Sequence, residues 1–144
     1  LGAENKEITM SNASARETGY LGTGRNFVGD AAGEGAVTFT ARMRRGSELF
    51  ASLDRIDLIK CDIEGYELVV MTEMRPLLER HRPTVLIETG GDNRPRIVAL
   101  FGSIGYDGYV LSKGTMRPLA DGDTKDIVFV HRSRRERYQK LIRP

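Results

Sequence analysis

Apolar positions along the chain follow two periods, and the switches between them predict its elements. Ile56 to Cys61 is rich in Ile and Leu without clean alternation, which predicts a strand of a parallel sheet covered on both faces. From Tyr66 to Arg80, Leu68, Met71, Met74 or Arg75, and Leu78 recur at three-to-four spacing and predict a helix. A strand at Thr84 to Thr89 and a helix from Arg94 to Ile104, ended by Gly105, follow. Tyr106 to Leu111 and Asp126 to His131 read as two strands joined by a polar loop. Upstream, Glu7 to Met10 and Val37 to Thr40 read as strands, and Ser47 to Leu53 as a short helix with Ser47 near its cap. Strands alternating with helices predict an α/β fold with a mainly parallel sheet, and the last two strands, linked without a helix, can close it as an antiparallel pair.

Residues 11 to 35 hold six glycines between Gly19 and Gly35 and are too long for a simple connection, so a mobile or functional loop is expected. Gly22-Thr23-Gly24 lacks the third glycine, the preceding buried strand and the following amphipathic helix of a dinucleotide fingerprint. A lid is the functional version of this loop, with Tyr20, Arg25, Asn26 and Phe27 folding over a bound molecule.

The strand at 56–61 runs directly into Asp62, Glu64 and Gly65. A glycine there allows a tight turn, which leaves both carboxylates at the carboxyl edge of the sheet, where open α/β folds bind ligands. Glu67 falls in the first helical turn, where the helix dipole favours an acid. Glu88 ends the next parallel strand at the same edge, within reach of Asp62, since neighbouring strands lie roughly 5 Å apart. The structural reading of Asp62 and Glu64 is a helix cap or an ion pair with Lys60 or an arginine. Three carboxylates sharing a cleft can also raise a pKa or bind a divalent cation, although neither an EF-hand nor a histidine motif accompanies them.

The run Ile56-Asp57-Leu58-Ile59-Lys60-Cys61-Asp62-Ile63-Glu64-Gly65-Tyr66-Glu67, then Leu77 to Pro83, then Thr84 to Thr89, resembles the FkbM-type family of S-adenosylmethionine-dependent methyltransferases. The likeness continues more loosely through Gly105-Tyr106 to His131, covering about residues 36 to 131. It implies a Rossmann-like class I methyltransferase sheet, mostly parallel with a final antiparallel hairpin. It also implies O-methylation of a hydroxyl on a small metabolite or sugar. Methyl transfer is an in-line displacement, so the protein must align the nucleophile and accept its proton. Asp62 and Glu64 are then the candidate catalytic residues, and Glu88 and Lys60 the candidate substrate-binding ones.

The chain has no counterpart of the glycine-rich "DxGANxG" turn or of the acidic residue that holds the cofactor ribose in such enzymes. It starts at Leu1-Gly2, at a point resembling the segment after the third strand of the family. The resemblance thus implies a C-terminal portion of the domain over residues 1–131, followed by a basic tail at 132–144. The missing cofactor half would be two βα units, on the order of 60 to 80 residues. S-adenosylmethionine is the implied cofactor, with its main binding motif absent. The alternative, from a different class, is a non-catalytic binding or assembly module that contacts a partner through an exposed sheet edge and the basic tail. A metal-dependent hydrolase or phosphotransferase ranks below both, because nothing here cradles phosphate.

Composition changes this picture little. The 144 residues, 40% hydrophobic and 29% charged, suit one soluble globular domain, and no stretch reaches the length of a membrane span. The net charge of +2 is a property of the tail, where residues 131–144 carry six Lys/Arg against one Glu. Without aromatic interleaving, that run reads as a solvated end and gives no nucleic-acid partner. A single cysteine leaves no disulfide framework, and the expected location is the cytoplasm. Cys61, His81, His131, Met71 and Met74 read as structural.

Overall fold

The computed structural model describes residues 1–12, 26–28, 37–63 and 65–143. It is an α/β structure with two sheets. The first holds β1 (Lys6–Asn12), β2 (Asn26–Val28) and β3 (Val37–Met43) in the order β2-β1-β3, with both pairings antiparallel. The second holds β4 (Leu58–Cys61), β5 (Thr84–Glu88), β6 (Tyr106–Ser112), β7 (Thr115–Pro118) and β8 (Asp126–His131) in the order β4-β5-β8-β6-β7.

The expectation of a mostly parallel sheet is corrected here. In the larger sheet only β4 and β5 pair in parallel, and the other three pairings are antiparallel. The reason is local. Lys113 and Gly114, both at positive φ (49° and 75°), make the two-residue turn that folds β7 back on β6. The chain then re-enters as β8 between β5 and β6 without a crossover helix. The expected antiparallel pairing of the strands at 106–111 and 126–131 is present, and the polar loop between them carries β7. The strands at 7–10 and 37–40 run longer than expected and pair with each other across the whole of β1, outside the larger sheet. Period-two alternation marks a strand but does not choose its partner.

Helix α1 (Gly46–Leu49) is shorter than predicted. Ser47 does not cap it: its amide and hydroxyl donate to the Glu73 carboxylate. The helix expected over 66–80 is two, α2 (Glu67–Glu73) and α3 (Arg75–His81), because Pro76 cannot donate a backbone hydrogen bond and ends the first helix at Met74. Helix α4 (Asn93–Ser103) follows β5. Val70, Met71, Met74, Leu78, Ile97 and Phe101 from these helices are buried against Val85, Ile87 and Phe129 of the sheet. Phe101 stacks on Phe129 with ring centroids 4.1 Å apart.

The basic end covers the opposite face. A 3-10 helix spans Arg132–Tyr138, and Tyr138 and Ile142 pack on Tyr109, Met116, Val128 and Val130. Arg132 pairs with Asp107 at 2.9 Å, and Arg134 donates to the His81 carbonyl at 2.7 Å. The tail also closes one sheet edge, since Met116 of β7 exchanges backbone hydrogen bonds with Leu141 and Arg143. At the other edge, β4 has a single neighbouring strand among the described residues. No helix among these residues is long and apolar enough to cross a membrane. Of the loop expected at 11–35, residues 13–25 and 29–35 lie outside the described residues, as do the lid candidates Tyr20 and Arg25; Asn26 and Phe27 fall in β2.

Candidate functional site

The parallel pair β4 and β5 ends in two adjacent turns. Cys61 is in register with Ile87, so Asp62 and Glu88 stand one residue beyond the last pair, side by side at the carboxyl edge. Gly65 turns the chain with φ of 94°, a left-handed conformation that a β-carbon disfavours. Glu67 holds the turn from within the helix, its Oε1 accepting from the backbone amides of Gly65 at 2.9 Å and Ile63 at 3.2 Å. This carboxylate is 3% exposed, and its task is to satisfy amides rather than only to complement the helix dipole. The Asn93 side chain, at the start of α4, donates to the Gly65 carbonyl at 2.9 Å and so joins the turn after β4 to the turn after β5.

Between the turns lies a cleft of about 220 Å³ lined by Asp62, Gly65, Glu67, Glu88, Thr89, Gly90, Gly91 and Lys125. Asp62 and Glu88 are exposed, and Lys60 pairs with Asp62 at 3.2 Å on the rim. Lys125 enters from the segment before β8, where the Thr89 amide donates to its carbonyl at 3.0 Å. Its aliphatic stem passes over Gly90, where a β-carbon would stand 3.3 Å from Lys125 Cε. One residue before Asp62, burial pushes the Cys61 thiol up to about 12, with the charges of Glu67 and Asp62 adding to the effect. Among the described residues no three His, Cys, Asp or Glu side chains converge as a metal site requires.

The structure therefore brings Asp62 and Glu88 into one cleft. Lys60 takes the ion pair with Asp62 that the structural reading expected, and its stem lines a neighbouring apolar recess of about 390 Å³ with Phe50, Ile59, Met71 and Met74. Glu64 lies outside the described residues. Sequence reasoning passed over Thr89, Gly90, Gly91, Asn93 and Lys125. A pair of glycines directly after a strand is a signal for the first three. Lys125 has no comparable signal, because it reaches the cleft only through the insertion of β8 beside β5.

At about 220 Å³, the cleft is smaller than the roughly 300–1,000 Å³ usual for small-molecule sites. It does not fit S-adenosylmethionine as a whole. Its exposed carboxylates, Asp62 and Glu88, suit the hydroxyl groups of a smaller ligand, because carboxylates accept hydrogen bonds.

Comparison with known proteins agrees with the motif at 56–67. Neither curated proteins nor solved structures give a match. The model of the methyltransferase FkbM domain matches residues 4–107, which include β1, β4, β5 and both turns of the cleft. By that match, the chain belongs to the FkbM methyltransferase domain family.

Proposed function

We propose that this chain serves methyl transfer to a hydroxyl of a small metabolite or sugar, and that the cleft after β4 and β5 holds the acceptor. The observation that carries this reading is the convergence of Asp62 and Glu88 in one cleft, in a chain of this family. A hydroxyl is a weak nucleophile until its proton is taken, and a carboxylate at hydrogen-bond distance would orient it and accept that proton as the methyl passes from the donor's sulfonium sulfur, which leaves as a neutral thioether, to the hydroxyl oxygen. Asp62 or Glu64 is the base; Asp62 lines the cleft. Glu88, beside it, fixes a second donor of the acceptor, and Lys60 limits the swing of Asp62 through their ion pair. S-adenosylmethionine is the methyl source that the family implies. The test is transfer of labelled methyl from S-adenosylmethionine by the complete gene product to a panel of hydroxylated acceptors. Transfer to at least one, at the hydroxyl oxygen, is expected; label appearing only on nitrogen or carbon overturns the assignment.

A second reading is association through β4. Leu58 on this edge strand is 65% exposed, and the adjoining recess is lined by Phe50, Leu53, Ile56 and Ile59. An unpaired strand edge beside apolar surface is a natural place for another strand to add. Sedimentation of the wild type against Leu58→Lys separates the two readings: this one expects a larger species that the substitution breaks up.

A further inference from the structure

A third cavity lies on the sheet edge opposite β4. Its volume is about 400 Å³, and Pro118 of β7 lines it with Arg135, Gln139, Ile142 and Arg143 of the basic end. That size is within the roughly 300–1,000 Å³ usual for small-molecule sites. The cavity shares no lining residue with the cleft after β4 and β5 or with the recess beside β4. The segment that builds it is held in place. The Arg143 amide donates to the Met116 carbonyl at 2.7 Å, the Met116 amide donates to the Leu141 carbonyl at 2.8 Å, and Ile142 packs with Tyr138 on the sheet. Its arginines fall into two sets. Arg132 pairs with Asp107, and Arg134 with Asp57 at 3.6 Å. The guanidiniums of Arg135, Arg137 and Arg143 have neither an ion pair nor a hydrogen bond among the described residues. Of these three, Arg135 and Arg143 line the cavity, and no acidic residue lines it with them.

We infer that this cavity is a binding site for a phosphate monoester of a small organic molecule. A guanidinium presents a planar fork of N–H donors that matches two phosphate oxygens at once, and a long side chain on the wall of so small a cavity can bring that fork to a common ligand. Charge selects phosphate over carboxylate. A phosphate monoester carries about −1.5 to −2 near neutral pH and so answers two arginines, whereas one carboxylate answers one. The Gln139 side-chain amide supplies further donors. Ile142, half-buried, and Pro118 bring no polar side-chain group, so the organic part of the ligand meets an apolar wall next to the cationic one. The cleft after β4 and β5 has the reverse balance, with Asp62, Glu67 and Glu88 against Lys125, and would repel the same ligand.

The test is titration of phenyl phosphate and benzoate into the isotopically labelled protein, following the amide resonances of Gln139, Ile142 and Arg143. It is run at about 0.15 M salt, where exposed charges more than roughly 8 Å apart are largely screened. Phenyl phosphate is expected to shift these resonances saturably and to bind at least about tenfold more tightly than benzoate. Arg135→Gln and Arg143→Gln should each weaken phenyl phosphate at least about tenfold. Arg137→Gln removes the same charge from the same segment outside the cavity and should leave binding unchanged. An equal loss in Arg137→Gln would show attraction by net charge alone and overturn the site, as would shifts in the wild type that do not saturate. Benzoate binding as tightly as phenyl phosphate overturns the phosphate class. Thermal unfolding checks the variants, whose midpoints are expected to match the wild type because neither cavity guanidinium holds another group of the fold. A lower midpoint for Arg135→Gln or Arg143→Gln would contradict the unpaired cations on which the inference stands.

Discussion

The Glu67 carboxylate accepts the backbone amide of Gly65 at 2.9 Å, so the residue that opens α2 also fixes the turn that presents Asp62. The same oxygen accepts from Ile63, and both bonds lie in partly buried surroundings. Glu67→Ala is expected to leave these amides without an acceptor and to lower stability by about 2–3 kcal/mol. Glu67→Gln, whose amide oxygen can still accept, should lose clearly less. Urea denaturation of the three proteins measures the difference, and equal midpoints for Ala and wild type would show that the turn holds itself.

The segment that delivers Lys125 is expected to respond to acid. The Asp123 carboxyl is held at about 2, first by its hydrogen bond to Arg117 and then by the Ala120 amide at 2.7 Å. A carboxyl depressed from about 3.9 when unfolded stabilises the fold fully above that value and loses the contribution as pH falls toward 2. The loop between β7 and β8 is therefore expected to keep its contacts at pH 5 and to loosen between roughly pH 4 and 2. Asp123→Asn should flatten the stability difference across that window, as read by thermal unfolding at a series of pH values.

Cys61 should be silent toward thiol reagents in the folded chain. With the thiol pushed up to about 12, the thiolate is scarce near neutral pH, and burial blocks access as well. Iodoacetamide labelling is expected to be slower than in urea by roughly a thousandfold or more. Labelling of the native chain at the unfolded rate would place Cys61 at the surface.

Much of this was legible in the sequence because it is local. The apolar run into Asp62 and Gly65 marks a strand, a turn and a helix at once, and the ending of β5 at Glu88 follows from the same reasoning. What the sequence did not show depends on partners far along the chain. Period two identified the strands at 7–10 and 37–40 but not that they pair with each other. The break at Met74 was signalled by Pro76, yet the apolar spacing runs through it unchanged. The basic tail read as solvated, whereas Tyr138 and Ile142 anchor it to the sheet and leave its arginines toward solvent and neighbouring carbonyls. Thr89 and Lys125 meet only because β8 inserts next to β5, and pairing order is not written in hydrophobic pattern.

In the proposed transfer, the Asp62 carboxylate takes the proton of the acceptor hydroxyl. The most direct measurement is the single-turnover rate of labelled methyl transfer from S-adenosylmethionine by the complete gene product, for wild type, Asp62→Asn and Glu88→Gln. For Asp62→Asn, a fall in rate of about 10²–10⁴-fold is predicted, with binding of the acceptor weakened far less. For Glu88→Gln, the loss should fall mainly on acceptor binding. A rate for Asp62→Asn equal to the wild type would contradict the account and leave Glu64 as the candidate base.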